Sequence, residues 1–526
     1  MSVANRSLEY REKVDAVIVG AGVAGAILAA RLSAEHKKIV ILEQGPNWQL
    51  GDLLSSQIWS RRLKWGGAPV ELKGAHPAGH SFNMGWGSGG SAIHHFAQWP
   101  RLHVEDFRMK TLFGRGVDWP IAYEDLRPYY DRVQEQVGIS GDHVREPWRP
   151  PGEPYPLPPL KSFKQAEVLA NGFRNIGLRT GPTPLAILSQ NYKGRAACLN
   201  DGWCDAGCPI GALAQPLLSD LPTSLANGAE LRTQAAATRV LLSGDGRRAI
   251  GVEYIDHSGT PKRQHADVVI LANNCVQGVR LLLNSATSHH PHGVGNSSDA
   301  VGRYMLTHFS AGLAGMFDID MQNHLGTTGS ALIGQDAYAR PEGSYSWFIA
   351  PAHKLSDVLG IANVDEVLFG SALHDFVRRA AKGLGSITAV GEQAPRAENR
   401  LILSGTKDAY GLPIARWDNA LDTREQTLFA TMRAEGLRAL KAAGAGQLWA
   451  SERWVYQHIA GGLRMGAGPA DSVCDSYGRC HDMPNLILAG AGLFPTQGAV
   501  NPTFTVHALT QRTADHLSEH WGSYAI

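Results

Sequence analysis

Three cysteines crowd into one short stretch, Cys198-Leu-Asn-Asp-Gly-Trp-Cys204-Asp-Ala-Gly-Cys208-Pro209, in a chain of 526 residues with only 6 cysteines in all. Thiolates are soft ligands, and C-x5-C-x3-C-P gathers three of them in a loop that ends on Cys-Pro, as ferredoxin ligand runs do. Three is one short of the four ligands that a structural zinc or a cubane takes, which fits a three-iron cluster. Zinc stays open if Asp201, Asp205 or a remote histidine supplies a fourth ligand, and so does a reduced loop that binds nothing. Zinc would be redox-silent, whereas a cluster would move electrons one at a time. Cys275, Cys474 and Cys480 lie among apolar or turn-rich segments and read as packed thiols.

A second pattern suited to chemistry lies near the N-terminus, where Gly20, Gly22 and Gly25 form G-x-G-x-x-G between an apolar run, Val14 to Gly20, and a helically spaced segment. The first glycine permits a tight turn, the second lets backbone approach a pyrophosphate, and the third lets helix pack on strand. The anion would sit on the N–H groups of the helix start. A second strand, Lys38-Ile-Val-Ile-Leu42, ends at Glu43, placed to accept ribose hydroxyls. Two further segments extend the cradle: the turn Gly87-Ser-Gly89-Gly90-Ser91, and Asn485-Leu-Ile-Leu-Ala-Gly490-Ala491-Gly492, a strand ending at glycines with a helix from about Pro502. A nicotinamide domain keeps its contacts near the first βαβ unit, whereas a flavin needs cradling along its ribityl chain. Bound FAD is therefore the expected cofactor.

Other elements must position these groups. Glu230 to Asp256 reads as two strands around Gly244-Asp245-Gly246, and Asp267 to Asn274 as a buried strand with a helix from about Val276. Pro150 to Ser162 is a Pro-rich connector. Lys and Arg number 49 against 48 Asp and Glu, a net charge of +1 that offers no footprint for nucleic acid or anionic membrane. No stretch approaches the roughly 20 apolar residues of a membrane span. At the N-terminus charged residues run directly into the first strand without an apolar signal region, so no export signal of its own is expected.

His458-Ile-Ala-Gly-Gly-Leu-Arg-Met-Gly466 and Phe494-Pro-Thr-Gln-Gly-Ala-Val-Asn-Pro-Thr503, with the blocks Met84 to Met109, Asp118 to Val133 and Gly293 to Arg303, resemble the glucose-methanol-choline (GMC) oxidoreductases. Within that family the chain is similar to the FAD-dependent catalytic subunits of bacterial glucose, gluconate, fructose and sorbitol dehydrogenases. Ala311 to Gln393 carries the least of the resemblance. The fold it implies is α/β: a GMC-type, Rossmann-like FAD-binding domain with a discontinuous α+β substrate domain built on an antiparallel sheet. The FAD domain is expected at 11–105, 216–310 and 456–526, the last with the catalytic motif. A substrate or cap segment is expected at 106–192, the cysteine loop at 193–215 and the substrate domain at 311–455.

Oxidising a carbinol requires a base for the hydroxyl proton and a group to hold the developing alkoxide. In the resemblance His458 falls on the family's catalytic histidine and Asn501 on its second polar residue. A neutral imidazole can take the proton, and a carboxamide can hold the oxygen without competing for it. Asn501, just before Pro502, could also cap the last helix. His94 matches a position that some relatives bond covalently to flavin and many do not. Val240 matches a residue whose backbone meets adenine. Arg464 is expected to hold local structure, and His289, His290 and His292 to lie in a solvated loop.

Cysteines followed by Pro209-Ile-Gly-Ala212 match relatives in which they bind a 3Fe-4S cluster, so Cys198, Cys204 and Cys208 are the expected metal ligands. Such relatives work with a small accessory subunit, which brings the export signal, and a multihaem cytochrome as acceptor. The chain would then reach the periplasm by co-export, or else act in the cytoplasm with a soluble acceptor. The substrate expected by analogy is a sugar or other alcohol. Three rivals stay open: a pyranose or glycoside oxidase that reduces oxygen to peroxide, a non-catalytic nucleotide-binding protein, and a nicotinamide dehydrogenase.

Overall fold

The computed structural model describes residues 12–64, 69–78, 84–364, 367–452 and 454–525. The extreme N-terminus, on which the export reading rests, falls largely outside the described residues. Lys13–Val19 is apolar on both faces, as befits a central strand of a parallel sheet covered by helices. It pairs in parallel with Ile39–Leu42 on one side and Pro261–Leu271 on the other, with Ile18 opposite both Ile41 and Ile270. Glu230–Arg232 extends the sheet beyond Ile39–Leu42, and Leu486–Leu488 adds in parallel to Pro261–Leu271. Antiparallel strands Ala249–Ile255 and Ala236–Leu242 continue it on the other side. One sheet is thus assembled from three distant stretches of chain.

Helices cover both of its faces. Ile27 and Leu28 of helix Val23–Ala34, with Ala514 and Leu517 of helix Thr503–Glu519, pack on Ile18, Ile270 and Ile487. Val276, Val279 and Leu282 of helix Cys275–Asn284 pack with Val17, Val240 and Val252 on the opposite face.

A second sheet is antiparallel throughout and runs Gln447–Ala450, Leu306–Met316, Leu384–Gly391, Tyr345–Ile349, Leu332–Gly334, Gly181–Pro182. Its first long strand starts at Leu306, ahead of the change of domain expected at 311. Side chains alternate along it: Phe309, Ala311 and Leu313 join Trp347 and Ile387 under helix Thr423–Ala442, and Ser310 and Gly312 face a cavity. That helix is anchored by Leu428, Phe429, Met432 and Leu440, each contributing roughly 1.5–3 kcal/mol by burial. Asp422 and Glu425 cap its start reciprocally, Glu425 N–H donating to Asp422 Oδ1 and Asp422 N–H to Glu425 Oε2, both at 2.9 Å. The cavity-facing side of the sheet is therefore a wall backed by a packed helix.

Val455–Ala460 pairs with the first half of Leu306–Met316, placing Gln457 opposite His308 and Ala460 opposite Leu306. Three steps on one strand match two on the other, so the strand bulges within Gln457–Ala460. His458 lies in the bulge with φ +60°, a left-handed conformation that is strained for a non-glycine residue. The bulge re-aims its ring.

Candidate active site

Two glycine turns meet at the head of the first sheet. A Cβ on Gly25 would stand 1.9 Å from the Gly20 carbonyl oxygen, so only glycine lets the helix lie this close to the strand. Gly89 N–H donates to Ala21 O at 2.8 Å, stacking the second turn on the first. Glu43 clamps both: Oε2 accepts from Ala21 N–H at 3.0 Å, and Oε1 from Gly45 and Gly87 N–H at 2.9 and 3.2 Å. The helix starting at Val23 has Gly22 as its N-cap, no side-chain cap bond and no acidic residue in its first turn. Its free N–H groups suit a pyrophosphate.

From these turns a cavity of about 610 Å³ runs to His458 and Asn501. Gly20, Gly22, Glu43, Gly90, Ser91, His94, Gly490 and Ala491 all line it. Gly25 and Gly89 stand behind that lining. Val240 does not reach the cavity: its N–H donates to Ser285 Oγ at 2.9 Å, and its strand meets the cavity at Ala236, Ala237 and Thr238 instead. Shape, helix start and doubled glycine turns fit an adenine dinucleotide as long as FAD.

At the far end His458 Nε2 stands 3.1 Å from Asn501 Nδ2, and His458 Nδ1 stands 3.0 Å from Nδ1 of His308, whose Nε2 is 2.8 Å from Gly498 O. Burial, then the neighbouring His308, holds His458 well below its ordinary 6.5, so the ring is neutral at physiological pH. Asn501 is not the cap of the last helix: Pro502 occupies the N-cap, and the Asn501 amide turns to His458. Its Oδ1 is buried without a partner among the described residues. Arg464 serves local structure, bonding Asp471 O at 2.6 Å and lying 3.7 Å over the Tyr304 ring. His308 escaped the sequence reading, because a lone histidine in an apolar strand reads as core until cross-strand register places it.

Beyond the His–Asn pair the wall carries Ser310, Thr328, Ser330, Thr388 and Gln457 among the apolar Phe348 and Val390. Hydroxyls and amides interleaved with apolar faces suit a substrate that is itself hydroxylated. His95 also lines the cavity; its Nδ1 bonds Ala92 O at 2.7 Å, and burial pushes its pKa down to about 4.

The cysteine loop backs onto this wall. Thr328, a cavity residue, ties the loop to the wall through its hydroxyl, which donates to Gly202 O at 2.8 Å, and Asn200 N–H donates to Cys198 Sγ at 3.3 Å. Burial pushes the thiols up, Cys198 to about 11 and Cys204 to about 12. Asp205 is committed to a buried ion pair with Lys354 Nζ at 3.0 Å and is no spare zinc ligand. Among the described residues no group of three or more His, Cys, Asp or Glu side chains stands where one metal ion could be held. A single zinc needs sulfurs about 3.8 Å apart, the edge of a tetrahedron with 2.3 Å bonds. A multi-iron cluster spans a wider triangle, and three thiols in one loop are the kind of donor such a cluster takes.

Among the described residues no helix is long and apolar enough to cross a membrane. The chain is 29% identical to 2-methyl-1,2-propanediol dehydrogenase of Mycolicibacterium austroafricanum, over 97% of this chain and 96% of that one. It is 27% identical to the fructose dehydrogenase large subunit of Gluconobacter japonicus, over 96% and 97%. A formate oxidase variant from Aspergillus oryzae superposes with a TM-score of 0.69 at 16% identity, covering 98% of this chain and 99% of the other, and shares the fold. Family models described as GMC oxidoreductase match residues 14–310 and 395–510, leaving between them the stretch of weakest resemblance. The two glycine turns, the two sheets and these matches agree: the chain belongs to the GMC oxidoreductase family, FAD-dependent enzymes that act on alcohols and sugars.

Proposed function

We propose that this enzyme oxidises a CH–OH group of a sugar or another alcohol, with His458 as base and Asn501 holding the substrate oxygen. The observation that carries the reading is the buried, neutral His458 with Nε2 beside the Asn501 amide, at one end of a cavity whose other end suits a dinucleotide. Bound there, FAD would supply the acceptor for hydride leaving the carbinol carbon. A substrate hydroxyl would displace the Asn501 amide from His458 Nε2 and donate its own proton to that atom. Asn501 Nδ2–H would then turn to the oxygen as negative charge develops, in a site whose burial strengthens the bond. The hydroxyl-bearing wall would orient the rest of the molecule.

Electrons would leave to an external acceptor such as a cytochrome. A 3Fe-4S cluster held by Cys198, Cys204 and Cys208 would carry them one at a time. Three observations support this route: the three thiols, the Asn200 N–H donated to Cys198 Sγ, and the Thr328 hydroxyl that ties the loop to the cavity wall. One relative is, by name, a large subunit, which supports a small accessory subunit here. Co-export with that subunit would take the chain to the periplasm.

An oxidase that passes electrons to oxygen is the second reading, favoured by the loop cysteines being free thiols, two of which burial pushes up and so holds protonated. Iron and sulfide assays on anaerobically purified protein, with turnover of D-fructose and 2-methyl-1,2-propanediol read by dye reduction and by peroxide, separate the two. Iron lost in Cys204→Ser together with dye-linked turnover is the expected result. Flavin without iron, with peroxide formed, would install the oxidase.

A further inference from the structure

We propose that His308 is a positioning residue that fixes the tautomer of His458, so that the lone pair on Nε2, and not that on Nδ1, faces the cavity. The inference rests on the reading of His458 as the base. It follows from the donors and acceptors around two buried, neutral rings. Gly498 O can only accept, so the bond at 2.8 Å puts a proton on His308 Nε2. Burial pushes the pKa of His308 down to about 4, leaving the ring neutral with a single N–H, and its Nδ1 is therefore an acceptor. The contact at 3.0 Å then requires His458 to donate from Nδ1. His458 is neutral too, so its Nε2 is bare, which the Asn501 amide N–H at 3.1 Å satisfies from the cavity side.

The carbonyl that starts this chain is itself held. Gly498 has φ +53°, and a Cβ there would stand 2.2 Å from the Tyr338 hydroxyl, so the turn requires glycine. Ala499 N–H donates to that hydroxyl at 3.0 Å, and Tyr338 in turn donates to buried Asp106 Oδ2 at 2.7 Å. The cross-strand pairing of Gln457 with His308 and the bulge that follows bring the two rings together, 5.2 Å between centroids and nearly perpendicular. A packed core histidine needs neither this edge-on contact nor a backbone carbonyl reserved for its far nitrogen.

Solid-state nitrogen-15 NMR of histidine-labelled holoenzyme tests it, with His458 signals assigned by their loss in His458→Ala. A protonated Nδ1 and a bare Nε2 on His458 are expected in the wild type. In His308→Phe, Nδ1 loses its acceptor and both tautomers should be populated. In His308→Gln the amide can accept from Nδ1–H and donate to Gly498 O, which should restore the single tautomer. A wild-type His458 protonated on Nε2, or an unchanged tautomer in the Phe variant, overturns the inference. Should the Phe variant fail to fold, the wild-type tautomer decides alone. If His458→Ala still oxidises alcohols at the wild-type rate, it is the reading of the base that fails.

Discussion

The base end and the cysteine loop sit on opposite sides of one wall and are built on different terms. Around His458 the strand bulge, the His308 ring, the Gly498 carbonyl and the Asn501 amide hold one another at 2.8–3.1 Å, so the arrangement is complete in the polypeptide alone. In the loop Cys204 is buried and Cys198 and Cys208 are partly exposed, and the anchors are an ion pair and backbone turns rather than sulfur-to-sulfur geometry. Proton transfer demands sub-ångström placement before substrate arrives, which backbone hydrogen bonds supply. Ligands of a metal group take their final geometry from that group, because its binding free energy is part of the folding free energy. Substitutions at the first site should slow chemistry and leave the flavin bound. At the second they should alter stability and, by the proposed route, electron exit, and leave reduction of the flavin by substrate intact.

The largest break should come from His458→Ala: loss of the base is expected to lower kcat/KM roughly 10²- to 10⁴-fold with flavin content unchanged, read by steady-state kinetics beside the absorption spectrum. Asn501→Ala removes the donor to the developing alkoxide and should lower kcat by about 10²-fold. On the other side of the wall, Lys354→Met would remove the cation paired with the buried Asp205 carboxylate. A loss of about 3 kcal/mol in denaturant unfolding is expected, with flavin reduction by substrate preserved. If Lys354→Met instead abolished flavin reduction, the two regions would not be separable.

Smaller and sharper is the pH response. His458 must be neutral to accept a proton, and burial holds it well below 6.5, so kcat/KM should stay level as pH falls through 6.5 and drop only well beneath. An acid limb at or above 6.5 would contradict its burial. Stability should follow a related course. His95, His103, His308 and His507 are pushed by burial from 6.5 down to about 4, so the unfolded chain takes up protons that the folded chain refuses. Their contribution is full above 6.5 and is lost as pH falls toward 4. Asp106 and Glu146, raised by burial to about 8 and about 7, work in the opposite sense. Their contribution is full at acid pH and fades as pH rises toward 7 and 8. The histidines outnumber them between 6.5 and 4, so Tm should fall over that interval.

Much of this was legible in the sequence where the signal was local. G-x-G-x-x-G between a strand and a helix, Glu43 after the second strand, and the H-x-x-G-G and N-P blocks each need only neighbouring residues to be recognised. What escaped depends on register. His308 acquires its partner through a cross-strand pairing 150 residues away, with a bulge that no periodicity announces. Val240 shows the same limit: its N–H is taken by Ser285 Oγ, and its strand meets the cavity at Ala236 to Thr238. Asn501, expected beside His458 and as a possible cap as well, keeps only the first place: Pro502 takes the N-cap and the Asn501 amide stands 3.1 Å from His458 Nε2.

The central claim is that an alcohol reduces the bound flavin with His458 taking the proton. Anaerobic mixing of the purified holoenzyme with a sugar or diol, followed at the visible flavin band, tests it most directly. Bleaching in the wild type that is slowed at least about 100-fold in flavin-replete His458→Ala is the predicted result. Equal bleaching rates in the two proteins would contradict it.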